Sequence, residues 1–518
     1  MHNVVYSISW LSGTVPDEKK GDTMKHLLKT MLLLLVAAGM LFAFTACDSS
    51  GGDDDEEDDF DRDFWAQTYS GRWYTVRSDL LVTGTYCKVY AQQTAYITTA
   101  QAERVAAEFD DKIFNQITTN FGEHGDVDED GKVTLLLLDI EDGYDPDVGG
   151  GYVAGYFDST HMIDKDYNLK SNECDMIFVD VDPVPVESDL FYTTIAHEFQ
   201  HLINYSRTYM VDGREQDIWI NEGLSSGAEF IYSDAVSQER VNWFNTTVSY
   251  QNGGPAIVYG NNFFVWYGYW EDNYPNTVLD NYATVNLFFQ WLRIHASNGT
   301  EIYKEILASE DRDVDAVTTA AKNQIDPAFS DWGDLLETWY LANFRCRPDG
   351  FYGYKGEIDT DPVGLTKQGG DLYEFEAGEG IISALGNTPG DHGSFTPNTA
   401  DSGTHIQYTG FNYADDAVTT GTTLNKEFVL VLNTNTDNTP FAYEKGFIAN
   451  VVTAPGSNPV ALNMQARIVA NKKPLPRKFP VGFHPGYGGA GETPEQRLLK
   501  NKAGFAPAAT IQGKKDWR

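Results

Sequence analysis

Between Thr193 and Ile203 the chain reads Thr-Thr-Ile-Ala-His-Glu-Phe-Gln-His-Leu-Ile, and this short run restricts the fold more than any other stretch. Ser188 is suited to cap a helix and Asp189 to sit in its first turn, where a negative charge meets the positive end of the helix dipole. The segment is therefore expected to be helical. Residues four apart share a helix face, so His197 and His201 can offer their imidazoles to one tetrahedral ion. Glu198 is then held beside that ion without having to ligate it. Ile195, Phe199, Leu202 and Ile203 fall towards the other side and pack the helix into a core. The competing reading is a helix that merely carries two solvent-facing histidines and a glutamate.

A second segment, Ile218 to Glu229, weakens that competitor. A catalytic zinc takes three protein ligands and keeps one position for water, and two His with one carboxylate form such a set. Glu222 supplies the carboxylate, with 20 residues between it and His201, enough for the chain to turn and lay a second helix beside the first. Thiolate ligation is not an option, because the chain has only 4 cysteines and no Cys-x-x-Cys pair. Together the two segments resemble the gluzincin metallopeptidases, whose pattern is His-Glu-x-x-His followed by a Glu in an Asn-Glu-Gly context, here Asn221-Glu222-Gly223. Within that group the chain is similar to the hyicolysin family of secreted bacterial neutral metalloendopeptidases, over roughly Leu135 to Leu292 and including Ala154-Gly155-Tyr156-Phe157-Asp158.

The resemblance implies that His197, His201 and Glu222 ligate zinc and that Glu198 is the catalytic acid and base. It also implies that Glu229, seven positions after the third ligand, supports a ligating histidine; the competing reading of Glu229 is a solvated helix residue. The chemistry is metal-assisted hydrolysis, in which Glu198 takes a water proton and passes it to the leaving amine. Tyr282, expected just ahead of a helix, is the candidate second donor to the developing oxyanion, against a plain core or surface aromatic. Met176 to Asp180 is the candidate edge strand for an extended substrate backbone, which favours an endopeptidase.

The expected fold class is α+β: a zincin-like catalytic domain with an N-terminal mixed sheet and a helical C-terminal subdomain, then a β-sandwich-like module. Thr98 and Gln101 form a capping-box pattern, and Val105, Phe109, Ile113 and Ile117 recur every four residues as far as Phe121, marking an amphipathic helix. Val133 to Ile140 and Met176 to Val181 are aliphatic runs of buried-strand length. Helical periodicity dominates from Glu222 to about Phe344, as in Leu287 to Leu292 and Trp332 to Leu341; the aromatic residues from Tyr259 to Trp270 read as core. After Leu365, short apolar runs such as Phe428 to Leu432 and Ala461 to Val469 alternate with turn residues.

Lys25 and Lys29 precede an apolar run from Met31 to Phe44, the layout of a secretory signal that makes Met24 the expected start. That run is too short to span a bilayer as a helix. Phe44-Thr45-Ala46-Cys47 resembles a bacterial lipobox, in which Cys47 is lipidated; a plain signal peptide cut near Ala46 is the alternative. The expected organisation is thus residues 1–46 as signal peptide with an upstream extension, and 47–64 as lipidated Cys and acidic tether. Residues 65–221 are a mixed α/β subdomain with the active-site helix, 222–360 a helical subdomain, 361–470 a β-rich accessory module, and 471–518 a basic flexible tail with ten Lys/Arg and three Asp/Glu.

Lys plus Arg number 37 against 76 Asp plus Glu, a formal net charge of -39, which excludes binding along a nucleic-acid backbone. Asp126-Val127-Asp128-Glu129-Asp130-Gly131-Lys132 follows the first half of an EF-hand loop, so Asp126, Asp128 and Asp130 are candidate calcium ligands. Its twelfth position is Leu137, leaving Asp139 as the candidate further carboxylate; the competing reading is an acidic turn between helix and strand. The expectation is a secreted, lipid-anchored zinc metalloendopeptidase acting on peptide or protein substrates. Its rivals are an aminopeptidase of the same group and a catalytically inert surface-binding lipoprotein.

Overall fold

The computed structural model describes residues 61–448, apart from 69–70, 145–151, 246–262, 265, 267–277, 359–370, 387–389, 422 and 440–441. The signal segment, Cys47, the Ala461 to Val469 run and the basic tail lie outside the described residues. Six strands form the first sheet: β1 (Arg62–Gln67), β2 (Trp73–Thr83), β3 (Cys87–Gln92), β4 (Val133–Leu138), β5 (Gly155–Phe157) and β6 (Met176–Asp180), in the order β1-β2-β3-β4-β6-β5. Strand β1 starts at Arg62, inside the stretch 47–64 expected to be the tether. The Arg62 guanidinium donates to the Asn172 carbonyl at 2.6 Å, the Trp65 amide donates to Asn172 Oδ1 at 2.8 Å and Phe64 is fully buried, so β1 is fixed at both its backbone and its side chains.

Strands β3, β4 and β6 pair in parallel, which explains why β4 and β6 read as unbroken aliphatic runs: every residue of both is buried. Met176 to Asp180 is therefore not the edge. The edge is β5, three residues long and antiparallel to β6, too short and too close to Gly-rich sequence to announce itself by pattern.

The crossover from β3 to β4 is helical, with α1 (Thr99–Glu108) and α2 (Phe114–Phe121) joined by a π-helical turn over Phe109–Ile113. The Thr98 hydroxyl and the Gln101 side chain cap α1 reciprocally. A regular α-helix rotates a strict four-residue repeat by about 40° per step, so Val105, Phe109, Ile113 and Ile117 would drift off the core face. The wider turn absorbs that drift, and all four are fully buried.

Apart from a single turn at Tyr209–Asp212, the further α-helices among the described residues are α3 (Asp189–Arg207), α4 (Ile218–Ser233), α5 (Gln238–Asn245), α6 (Val278–His295), α7 (Glu301–Ala308), α8 (Val314–Gln324) and α9 (Trp332–Arg345). Helix α3 lies against β5, β6 and α4, and α4 against α6. Gly223 permits that last approach, since a Cβ there would overlap the Phe289 ring. Phe263 and Phe264, from the aromatic stretch, pack on Trp219 with ring centroids 5.8 and 5.7 Å away, as core residues do.

Eight further strands follow: β7 (Asp371–Phe375), β8 (Gly380–Ala384), β9 (Gly393–Phe395), β10 (Ile406–Phe411), β11 (Val418–Thr420), β12 (Leu424–Lys426), β13 (Phe428–Asn433) and β14 (Glu444–Ile448). They make a four-stranded antiparallel sheet, β11-β10-β13-β8, and the two-stranded ribbons β12-β9 and β14-β7. This module does not stand apart. Phe344 of α9 packs on Phe428 and Phe411 at 5.1 and 5.6 Å, and the Tyr340 hydroxyl donates to the Gly378 carbonyl at 2.9 Å, so the helical core runs on into the sheet. Cys87, Cys174 and Cys346 are free thiols, and no helix among the described residues is long and apolar enough to cross a membrane.

Candidate active site

Helix α3 opens on Ser188, whose hydroxyl accepts from the Phe191 amide at 3.2 Å, and runs 19 residues, so His197 and His201 sit in its rigid middle. Their ring centroids are 4.8 Å apart on one face. Helix α4 brings Glu222 opposite them, with its Oε2 3.4 Å from His197 Nε2 and 3.5 Å from His201 Nε2. One ligand atom from each of the three residues falls within 4.8 Å of the others, and all three side chains are buried.

The opposite ring nitrogens are held by other groups. His197 Nδ1 is 2.7 Å from Glu229 Oε1, and His201 Nδ1 is 3.0 Å from Asn221 Oδ1 and 3.1 Å from Ser225 Oγ. An acceptor on Nδ1 favours the tautomer that leaves the Nε2 lone pair for a cation. Two imidazole nitrogens and a carboxylate oxygen, convergent, buried and pre-oriented, are a donor set that fits zinc.

Charge in this pocket follows from burial set against neighbours. Burial alone would raise Glu222, but the two histidines outweigh it and hold the carboxyl down at about 2. Burial lowers His197, yet its hydrogen bonds to Glu222 and Glu229 win and raise it. Burial pushes Glu198 up to about 7, with the histidines acting against that rise. Its carboxyl sits where the edge strand passes: a Cβ on Gly155 of β5 would come within 2.7 Å of Thr194 Cγ2 and 3.2 Å of Glu198 Cγ. The strand approaches the helix this closely because it has no side chain there.

Tyr282 is brought to the same place, though from inside α6 rather than ahead of a helix. Its buried hydroxyl donates to Glu222 Oε1 at 3.4 Å. Arg240 of α5 was not foreseen. It is buried, donates to Glu229 Oε1 at 2.8 Å and lies with its guanidinium carbon 5.1 Å from the centre of the Tyr282 ring. Nothing local marks it, since its partner is 11 residues away on another helix. Asn221 and Ser225 stand beside Glu222 in the Asn-Glu-Gly segment, and their spacing was a signal that could have shown them facing His201.

The acidic turn is a different assembly. Asp126, Asp128 and Asp130 also bring carboxylate oxygens within 4.8 Å of one another, but at the surface. Asp126 accepts from the Asp130 and Gly131 amides, each at 3.0 Å, and Lys88 forms an ion pair with Asp130. Asp139 cannot join them. It follows the last residue of β4 while the turn precedes the first, and six extended residues span about 20 Å.

No family model matches the chain. It is 30% identical over 297 residues to a protein named "Neutral metalloprotease ShpI" from Staphylococcus hyicus, an overlap of 54% of this chain and 64% of that protein. The chain thus spans somewhat less than two thirds of the relative it matches.

Proposed function

We propose that this chain is a zinc metalloendopeptidase, secreted and anchored to a bacterial membrane by a lipid on Cys47. The observation that carries the reading is the convergence of His197, His201 and Glu222, each imidazole fixed from behind, with Glu198 alongside. The similarity to a neutral metalloprotease supports it. Zinc held by those three residues would supply Lewis-acid polarisation of the scissile carbonyl and a water of lowered pKa.

The chain's own residues account for the remaining steps. Glu198, buried and displaced towards neutrality, is poised to accept a proton from the attacking water and return it to the leaving amine. The Tyr282 hydroxyl donates its one proton to Glu222 in this structure, over a long 3.4 Å, and would have to turn from that carboxylate to donate to a developing oxyanion. An extended peptide pairing with the free edge of β5 would run past Glu198 without needing a chain terminus, which favours internal cleavage. Calcium on Asp126, Asp128 and Asp130 belongs to the same proposal as a stabilising ion.

Elemental analysis beside cleavage of end-blocked, internally quenched peptides tests the reading in wild type and Glu198→Gln. One zinc per chain in both proteins is expected, with turnover in the variant reduced by about 10²–10⁴-fold. Zinc with no cleavage of blocked or free peptides would leave the inert lipoprotein, and absence of zinc would remove the hydrolase altogether. Retention of a Cys47→Ser variant at the membrane would sink the anchor.

A further inference from the structure

A cavity of about 310 Å³ adjoins the metal-site residues, enclosed by α3, α4, α6 and the start of α5. Its position follows from helix geometry. Thr193 lies one turn before His197, Ser226 one turn after Glu222, and Asn286 one turn after Tyr282, and all three line the cavity. One turn is about 5.4 Å, so the inner end of the cavity is a single layer of side chains away from the metal-site residues. Glu229 belongs to both, facing the cavity while it holds His197 Nδ1.

The lining changes along its length. At the inner end Ser226 Oγ and Asn286 Nδ2 have no hydrogen-bond partner among the described residues, although each residue is only 1% exposed. Buried polar groups of this kind are costly unless something that binds there satisfies them. Further out the walls are Leu190, Phe230 and Val236, and beyond them stand Asp189 and Glu239. Arg240 is engaged by Glu229, whereas neither Asp189 nor Glu239 forms an ion pair among the described residues. Among the described lining residues three carboxylates stand against one guanidinium, a net negative balance. Polar groups near the reacting centre, an apolar sleeve, then carboxylates make the profile of a site for a flexible stem that ends in a cation.

We infer that this cavity is the specificity pocket of the proposed peptidase and takes a cationic group of the peptide, with Ser226 and Asn286 holding the adjoining peptide unit. The assignment rests on the hydrolase reading for its connection to cleavage, but binding tests it separately. The cation is a Lys or Arg side chain in an internal peptide; the ammonium of a free N-terminus offers the same chemistry, and blocked and unblocked peptides tell the two apart.

The experiment uses the zinc-loaded full chain carrying Glu198→Gln, titrated calorimetrically with peptides that differ at one position among Lys, Arg, Leu and Glu, each with free or acetylated N-terminus. Wild type is assayed in parallel for kcat/KM on the same set. Blocked Lys and Arg peptides should bind at least about tenfold more tightly than Leu or Glu peptides, with the same order in kcat/KM. In Asp189→Asn/Glu239→Gln the ratio should fall to about twofold or less. The control pair Glu103→Gln/Asp111→Asn makes the same change in net charge on an exposed surface elsewhere and should keep the full ratio. Preference for a free amine whatever the side chain, lost in the same double variant, would assign the pocket to the terminal ammonium. Equal binding of all peptides, binding of none, or a preference that the double variant leaves intact would overturn the pocket, whether or not wild type cleaves. Selective binding without cleavage would keep the pocket and remove the hydrolase.

Discussion

Among the described residues two places gather three metal-type side chains within 4.8 Å, and they are built on opposite principles. At His197, His201 and Glu222 the ligand atoms are buried and converge on one another, and the protein's shortest hydrogen bonds to the two imidazoles go to the outer ring nitrogens, so the inward-facing atoms are aimed at one point. At Asp126, Asp128 and Asp130 the oxygens are spent on backbone amides and on Lys88, and water reaches the rest. Proximity of ligands alone therefore separates nothing. What distinguishes a built site is where the protein's own hydrogen bonds have been directed.

The largest effect should come from removing the carboxylate that faces both imidazoles. Glu222→Gln keeps the shape but gives up the charge, and zinc per chain should fall from one to near zero, with peptide cleavage at background. Elemental analysis after dialysis reads the first and a quenched-peptide assay the second. Full zinc occupancy in the variant would show that Glu222 is no ligand. The support behind the imidazoles should matter less. Glu229→Gln still accepts from His197 Nδ1 but loses its charge, so zinc affinity in a competitive chelator titration should drop by about 10–100-fold with stoichiometry retained at saturating metal. Unchanged affinity would reduce Glu229 to a structural partner of Arg240.

A third test asks what a buried carboxylate does when no cation faces it. Asp180, at the end of β6, is as buried as Glu222, but its neighbours are Asp142 and Asp139 and its Oδ1 receives the Ile140 amide at 3.0 Å. Burial raises it to about 9, with Asp142 adding to the rise, whereas Glu222 is held at about 2. Because the folded value lies above the unfolded 3.8, the contribution to stability is complete below pH 4 and is lost as pH rises towards 9. The loss is about 1.4 kcal/mol per pH unit for this one group as an upper bound. Asp180→Asn, which mimics the protonated carboxyl, should be more stable than wild type at pH 8 and nearly equal to it at pH 4 in urea unfolding. Parallel curves across that range would mean Asp180 is ionised in the fold.

Much of the site was legible because its signals are local. The i, i+4 histidines, the Ser188 cap and the apolar residues behind them lie within 16 positions, and Glu222 stands in a motif of its own. The buried runs in β4 and β6 were equally plain. What failed to show was whatever depends on partners distant in sequence. The sheet order makes β6 internal and hands the edge to three residues around Gly155; Tyr282 enters from mid-helix; Arg240 reaches Glu229 across two helices; and α9 binds the β-rich module through Phe344 and Tyr340. The strict four-residue repeat of α1 and α2 did carry the π-helical turn, but as a period slightly too long for an α-helix rather than as a residue type.

The smallest effect should come from the acidic turn, and it completes the contrast between the two clusters. Burial raises Asp128 to about 6, with Asp175 and Asp130 adding to the rise and Lys88 opposing it, so the turn carries unrelieved repulsion even with its lysine in place. A divalent ion would relieve that repulsion while competing with Lys88 for Asp130, and water already solvates part of the site, so the net gain is small. Adding calcium to chelator-treated, zinc-reloaded protein should raise the thermal midpoint by only about 1 °C, the shift that about 1 kcal/mol produces in a chain of this length. Asp128→Asn should abolish the calcium response and, by removing one of the clustered charges, leave the calcium-free midpoint equal to or above that of wild type. A calcium response that survives in the variant would move the ion elsewhere. A calcium-free midpoint well below wild type would show that Asp128 serves the turn through its hydrogen bonds rather than waiting on a cation.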